Sequence, residues 1–447
     1  VPLARITDLR SAHSPWSRDP RGCAMTETDA WTELLKLSIA IRDPRADRGK
    51  RHKLTDVLFL VVAGLLAGCE DAEAIVDFGE DHRDWLDGFL SLEHGLPAHD
   101  TILRVLAMLP PATIESLIRA WLASIVASGL LAPDGAHVAV DGKAMRGSAD
   151  RRSGASPVHM VSAYLTEAGF TLGCERVDDK SNEIRAIPIL LRSLHLRGAT
   201  VTIDAMGCQR EIAACIRDAG ADYVLQVKGN QPALLADIEF LGKELVRRRR
   251  PGEARAEVDR YRNVDKGHGR IETRVCVVSH DLDWIQSRGR WPGLSGVAFM
   301  WREREDVISG KRTQELSYYI LSNGTATART VSKLIRNHWA IENVSHWSLD
   351  VVWGEDGHQL RERVAAENLS RLRRFTAGLI RAAVGERMSG RRLLAKCNRN
   401  PRLTLQVLRG EKVSRAAKRR PNRPKDRPPI GKAVRRNALK RGDSDGI

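Results

Sequence analysis

The sequence predicts an α/β protein: a mixed sheet with flanking helices, preceded by an N-terminal all-α domain and interrupted by a β-rich insertion. Three observations predict it. Apolar residues recur at helical spacing from Trp31 to about Leu131, the period changes to strand alternation near residue 136, and helical stretches then interleave with the strands. A chain of 447 residues, 42% hydrophobic and 29% charged, is globular in composition and long enough for roughly two to four domains.

Residues 1–24 carry no periodicity and read as a non-native or disordered extension, with the working protein starting at or near Met25. Residues 25–131 read as a helical bundle with room for a helix-turn-helix. Leu54, Val57, Leu58, Val61 and Val62 share one helical face. Ile102, Val105, Leu106 and Leu109 share another, capped by His99-Asp100-Thr101 and ended by Pro110-Pro111.

Strands follow at 137–141, 158–165, 170–177, 199–204 and 222–228, marked by β-branched residues and Gly or Asp boundaries. Helices at 182–194 and 209–219 interleave, the second stopped by Gly220. The first three strands suit an antiparallel meander and the βαβαβ remainder suits parallel additions to one sheet, over residues 132–231. Residues 232–326 hold a charged helix and strands at 270–278, 296–304 and 315–321. Residues 327–385 are helical with a break near Gly354–Gly357, and residues 386–447 form a basic tail.

The charge balance narrows the partners. With 72 Lys+Arg against 56 Asp+Glu the chain carries +16, and residues 411–447 alone hold 13 basic and 4 acidic side chains. A basic, Pro-rich segment with few apolar residues predicts disorder, and the whole balance points to a polyanion, best a nucleic acid. The run Arg247–Arg250 alone is adequately explained as a solvated face. The longest apolar run, Val57 to Cys69, is too short to span a bilayer, and the N-terminus has no apolar signal stretch. Seven scattered cysteines without a C-x-x-C read as reduced thiols of a cytoplasmic protein.

Asp141 ends the first strand and Asp204 the fourth, so strand pairing can bring them together. Glu342 falls on a helical face with Val331, Leu334, Ile335 and His338, which would turn its carboxylate toward the sheet. A carboxylate there needs a partner or a metal. Three converging carboxylates are a hard-oxygen site for Mg²⁺ or Mn²⁺ beside phosphates, as in-line phosphoryl transfer requires.

Several blocks carry a family resemblance: 97–106 (PAHDTILRVL), 138–148 (VAVDGKAMRGS), 180–191 (KSNEIRAIPILL), 202–213 (TIDAMGCQREIA), 222–231 (DYVLQVKGNQ) and 336–361 (RNHWAIENVSHWSLDVVWGEDGHQLR). In this order they resemble the DDE-type transposases of bacterial insertion sequences, the H-repeat-associated group, from about residue 40 to 385. The resemblance implies an RNase H-like core with Asp141, Asp204 and Glu342 as its metal-binding triad. Asp204 lies 63 residues after Asp141, and Glu342 lies 138 after Asp204. It implies double-stranded DNA as partner, both terminal inverted repeats and target, probed by a homodimer on nucleoid DNA. Lys143, Arg146, Lys228, Asn230, Gln231, Arg336 and His338 are the implied DNA contacts.

The sequence departs from related transposases at a Tyr, Arg, Glu, Lys signature, where Ile335, His338 and Leu349 stand in place of the Tyr, Arg and Lys. Glu355 and Asp356 are rival third acids, ranked below Glu342 because Glu355 lies in a Gly-flanked turn. His338, Glu342 and His346 are spaced for a zinc face, but no H-E-x-x-H is present and buried, hydrogen-bonded histidines are commoner. Trp339 and Trp347 read first as core, and second as platforms for an unpaired base at a cleaved end. The leading function is transposition. A catalytically silent DNA-binding relative, or a metal-dependent nuclease without strand transfer, shares the same charge or triad.

Overall fold

In the computed structural model, which describes residues 41–127, 135–150, 152–177, 183–247, 258–267, 269–384, 388–409 and 411–413, nine strands form one mixed sheet. The expectations for residues 1–24, the Met25 start, residues 248–250 and the tail beyond 413 lie outside the described residues.

The N-terminal helices are α1 (Leu54–Ala67), α2 (Ala72–Asp81), α3 (Arg83–Leu86), α4 (His99–Met108) and α5 (Pro111–Ala127). Almost every residue of α1 is buried, including Phe59, Leu60 and Leu66 off the expected face, so it is a central helix apolar all round. It ends at Gly68, whose φ of 90° is the left-handed geometry that closes helices. Asp71 caps α2 by accepting from the Ala74 amide at 2.8 Å, a bond typically worth about 1 kcal/mol. The expected cap of α4 differs: the helix already starts at His99, with Ala98 as an uncapped boundary, and Asp100 sits in its first turn near the positive dipole end.

The sheet begins with β1 (His137–Met145), β2 (Val158–Leu165) and β3 (Phe170–Val177). After α6 (Glu183–Arg192) come β4 (Thr200–Ile203), α7 (Arg210–Asp218) and β5 (Asp222–Val227). β1, β2 and β3 pair antiparallel, while β4 lies parallel to both β1 and β5, as the sequence predicts. Then follow α8 (Pro232–Arg247), β6 (Val258–Gly267), β7 (Arg270–Ser279), β8 (Gly296–Asp306) and β9 (Arg312–Leu321). The strand order is β3-β2-β1-β4-β5-β9-β8-β7-β6. The late β-rich segment therefore extends the same sheet through an antiparallel β5–β9 pair. β6 is absent from the sequence reading because it is an edge strand of alternating charge, largely exposed, with little apolar signal to read.

The chain closes with α9 (Ala328–His338), a π-helical segment (Ile341–His346), α10 (Trp347–Trp353), α11 (Arg363–Ala383), α12 (Gly390–Arg399) and α13 (Arg402–Leu408). Long α11 joins the N-terminal helices to the sheet. Its Asn368 amide donates to the Leu106 and Leu109 carbonyls at 2.8 and 2.9 Å, and Trp353 Nε1 donates to the Leu65 carbonyl at 3.0 Å. Buried Arg371 bridges Glu115 of α5 at 2.5 Å and Glu367 at 2.7 Å. One hydrophobic core runs from α1 through the sheet to α13.

Candidate active site

The register of β1 and β4 creates the site. Val140 pairs with Ile203 in the last parallel rung, so Asp141 and Asp204 follow side by side on neighbouring strands. Asp204 is fixed by a turn in which its Oδ1 accepts from the Met206 amide at 3.1 Å and the Gly207 amide at 3.4 Å. Gly207 is required there, since a Cβ would fall 2.2 Å from Ile203 Cγ2. Burial pushes the Asp141 carboxyl up to about 7, helped by the charges of Glu342, Asp204 and Glu183 and opposed by the Gly142 amide. Partial desolvation and the Asp204 charge also raise Glu342, which stays open to solvent, above the usual carboxylate range. The three acids thus share one electrostatic neighbourhood.

Glu342 reaches it differently from the sequence expectation. The face shared with Val331 and Ile335 continues to Ile341, which is buried, whereas Glu342 is exposed. The cause is the π-helical segment, which inserts extra turn length after α9 and rotates the following residues. Glu342 therefore stands exposed at the rim, within reach of the Asp204 charge, instead of being pressed onto the sheet.

Two histidines border the acids. His338 Nδ1 lies 2.9 Å from Thr202 Oγ1, and His137 Nε2 lies 2.8 Å from the same hydroxyl, so one threonine ties β1, β4 and the end of α9 together. Burial lowers His338 to about 4 and His137 to about 3, which keeps both neutral near pH 7. His346 Nδ1 lies 3.7 Å from Asp141 Oδ2, and burial with the Arg374 charge lowers it to about 3. His338 is committed to the sheet and is not a free DNA contact. No three His, Cys, Asp or Glu side chains among the described residues stand close enough together to hold a metal ion, so the zinc face is not assembled either.

The other expected contacts divide. Lys143 is corrected: it is buried and bridges Asp350 at 2.8 Å and Asp356 at 3.0 Å, leaving no charge for phosphate. Asn230 and Gln231 are also spent internally. The Asn230 amide donates to the Ala205 carbonyl at 2.7 Å and Gln231 donates to the Cys208 carbonyl at 2.9 Å, bracing the turn that carries Asp204. Arg146 is largely exposed, 3.5 Å from Asp356, and Lys228 is exposed after β5. Arg336 is half-exposed and bridges Asp265 at 2.9 Å. Glu355 is fully buried beneath α11, accepting from Ser370 at 2.7 Å and pairing with Arg374 at 3.3 Å, so it does not face the other acids. Trp339 and Trp347 are corrected from core to surface, 43% and 55% exposed on either side of Glu342.

With this geometry the comparisons become specific. Residues 132–377 match the family model described as Transposase DDE domain, and residues 39–122 match one described as DDE_Tnp_1-associated. The chain belongs to the DDE transposase family. It is 35% identical over 388 residues to "H repeat-associated putative transposase YhhI" of Escherichia coli (strain K12), spanning 86% of this chain and 99% of that one. It is 36% identical over 351 residues to "Putative transposase YncI" of Escherichia coli O157:H7, spanning 78% of this chain and 87% of that one. A chain in "Cryo-EM structure of piggyBac transposase synaptic complex with hairpin DNA (SNHP)" aligns over 85% of this chain and 77% of its own, at 10% identity and a TM-score of 0.36. That likeness is too slight to bear on the fold.

Within this DDE transposase chain, Glu183 of the 180–191 block, in the first turn of α6, pairs with His159 of β2, both buried. A Cβ on Gly142 would lie 2.4 Å from Glu183 Oε1 and 2.6 Å from His159 Nε2, so the pair lies directly against the backbone beside Asp141. Only a glycine after the first acid would have hinted at it. The RGS end of the 138–148 block is explained likewise, because a Cβ on Gly147 would fall 2.4 Å from the His358 carbonyl.

Proposed function

We propose that this protein is a metal-dependent DNA transposase with an RNase H-like core. It cuts at the terminal inverted repeats of an insertion sequence and joins the freed 3′-OH ends to target DNA. The observation that carries the reading is the parallel β1–β4 register, which sets Asp141 beside Asp204. The Glu342 charge is felt at Asp141 and the Asp204 charge at Glu342. The three carboxylates are not gathered tightly enough to hold an ion as they stand, and Glu342 would have to move in from the rim. Carboxylate oxygens alone are a donor set suited to Mg²⁺ or Mn²⁺, and their mutual repulsion is what a divalent cation relieves. When bound, such an ion supplies nucleophile activation and charge neutralisation for in-line phosphoryl transfer.

The chain's own residues do the rest. Asp141 within β1 and Asp204 directly after β4 would hold the ion, with Glu342 joining them from the π-helical rim. The Asn230 and Gln231 braces fix the Asp204 turn. Neutral His346 beside Asp141 adds no competing positive charge. Exposed Arg146 and Lys228, with Arg336 at the edge, engage DNA phosphates. The element's two ends are brought together by a homodimer on cytoplasmic, nucleoid DNA.

The test uses Asp141→Asn, Asp204→Asn and Glu342→Gln on a labelled inverted-repeat duplex with Mg²⁺. Each variant keeps its size and loses a charge. End cleavage is expected to fall by orders of magnitude while gel-shift binding persists. Normal cleavage by any of the three would remove that residue from the triad. Cleavage without strand joining by the parent protein would make it a nuclease instead, and binding without cleavage a silent relative.

A further inference from the structure

Residues 387–410 hold seven Lys and Arg, no Asp or Glu and no aromatic residue. This stretch, expected as part of a basic tail, instead folds onto the body as α12 and α13. α12 buries Leu393, Leu394 and Cys397, sets Leu394 against Gly68 at the end of α1, and brings its Asn398 carbonyl 2.6 Å from His82 Nε2. Its orientation is therefore fixed.

With that face held, Arg391, Arg392, Arg399 and Arg402 stand exposed and Lys396 is half-buried. None of these five has an ion pair among the described residues. Arg392, Lys396 and Arg399 fall at i, i+4 and i+7, a stripe of like charge that destabilises a helix when nothing opposes it. Elsewhere Arg312 bridges Glu305 and Arg288 bridges Asp283, whereas between residues 387 and 410 the sequence holds no carboxylate.

We propose that the exposed face of α12, extended by Arg402, is a docking surface for the phosphate backbone of duplex DNA. A ten-residue helix spans about 15 Å, a length over which duplex DNA carries roughly nine phosphate charges. The chemistry favours a duplex over the alternatives. Single strands are held by aromatic stacking, and this face has no aromatic side chain. A lipid surface needs apolar or aromatic anchors, and the exposed residues here are cations, Ala395 and amides. Backbone contacts of this kind position DNA without reading its sequence.

The proposal takes the presence of DNA from the transposase reading, but its test needs no cleavage. Full-length protein and the triple variant Arg392→Gln/Lys396→Gln/Arg399→Gln are titrated with a random-sequence duplex across a salt series. The slope of log K against log salt should become shallower by about 2.7, near 0.9 for each lost contact. The melting temperature should not fall, since the substitutions relieve like-charge repulsion and leave Leu393, Leu394 and Cys397 in place. The same loss should be absent for inverted-repeat selectivity, measured as the ratio of specific to random duplex binding. An unchanged slope on duplex overturns the proposal, as does a larger loss on a single strand of equal length. If the Asp141, Asp204 and Glu342 variants prove fully active but the slope falls, the docking surface stands and the triad assignment fails.

Discussion

His159 and Glu183 pair in the interior directly against Gly142, one residue beyond Asp141, so a β2 side chain and the first turn of α6 together seat the strand that carries the first acid. The pair leaves no room for a side chain at position 142. Both partners are buried, and their burial costs little only while each balances the other.

Gly142→Ala tests this packing. Its Cβ would lie 2.4 Å from Glu183 Oε1, and neither partner can swing into solvent. Overpacking of this kind typically costs about 1–3 kcal/mol. Combined with Glu183→Ala, which opens space, the two losses should add to less than their sum. Denaturant melts of the four proteins measure the coupling, and strict additivity would mean that the contact is not the source of the strain.

A second expectation concerns pH. Folded Asp141 holds its proton up to about 7, whereas an unfolded aspartate releases it near 3.8. Between those values the folded state binds more protons than the unfolded one, so stability falls as pH rises and the full penalty is present above about 7. Asp141→Asn removes the penalty. Metal-free Asp141→Asn should be more stable than the parent at pH 8, by about 1–2 kcal/mol, and nearly equal at pH 4. Added Mg²⁺ or Mn²⁺ should raise the parent's melting temperature at pH 8 and leave the variant unmoved. Equal melting curves at pH 8 without metal would show that Asp141 is not held in a destabilised state.

Much of this arrangement was readable where local signals and tertiary structure agree. Strand alternation pointed to both acids, but only Asp204 follows a strand end. Asp141, read as the end of a strand over 137–141, lies midway along the longer β1, one residue past its last parallel rung with β4. Glu342 was found by its place in the chain but given the wrong face, since helical periodicity cannot foresee the π-helical segment between His338 and Trp347. Lys143 misled for a different reason. Its neutralising partner Asp356 lies 213 residues away, and only the fold brings the two together. Edge strand β6 was unreadable because its half-buried positions include Asn263 and Asp265 beside Tyr261, so the side that packs on α9 shows no apolar alternation.

Glu355 gives the sharpest contrast with Glu342. It is fully buried against Arg374 and Ser370, so Glu355→Gln would leave the Arg374 cation uncompensated in the core. Loss of one partner of a buried pair typically costs about 3–5 kcal/mol. Glu355→Gln should therefore melt earlier and yet bind Mn²⁺ with parental affinity at low temperature. Glu342→Gln should do the reverse. Mn²⁺ titration beside thermal melts separates them, and a stable Glu355→Gln that has lost metal affinity would make Glu355 the third acid after all.

Trp339 and Trp347 carry the last prediction. They flank Glu342 and are 43% and 55% exposed, a large apolar surface to leave in water beside an acidic site. Stacking of an unpaired base on an exposed aromatic ring is worth about 1–3 kcal/mol, whichever base it is. Such a contact would act only once the strand end is freed from its duplex partner. Trp339→Ala and Trp347→Ala should keep the parental melting temperature and parental affinity for fully paired repeats, because neither ring is buried. Cleavage and binding of a repeat carrying an unpaired terminal base should fall by about tenfold or more for whichever tryptophan stacks. A fluorescence titration with the frayed and the fully paired duplex reads the difference directly, through quenching seen only with the frayed end. Equal quenching by both duplexes would return the two rings to the role of bystanders on a solvated helix face.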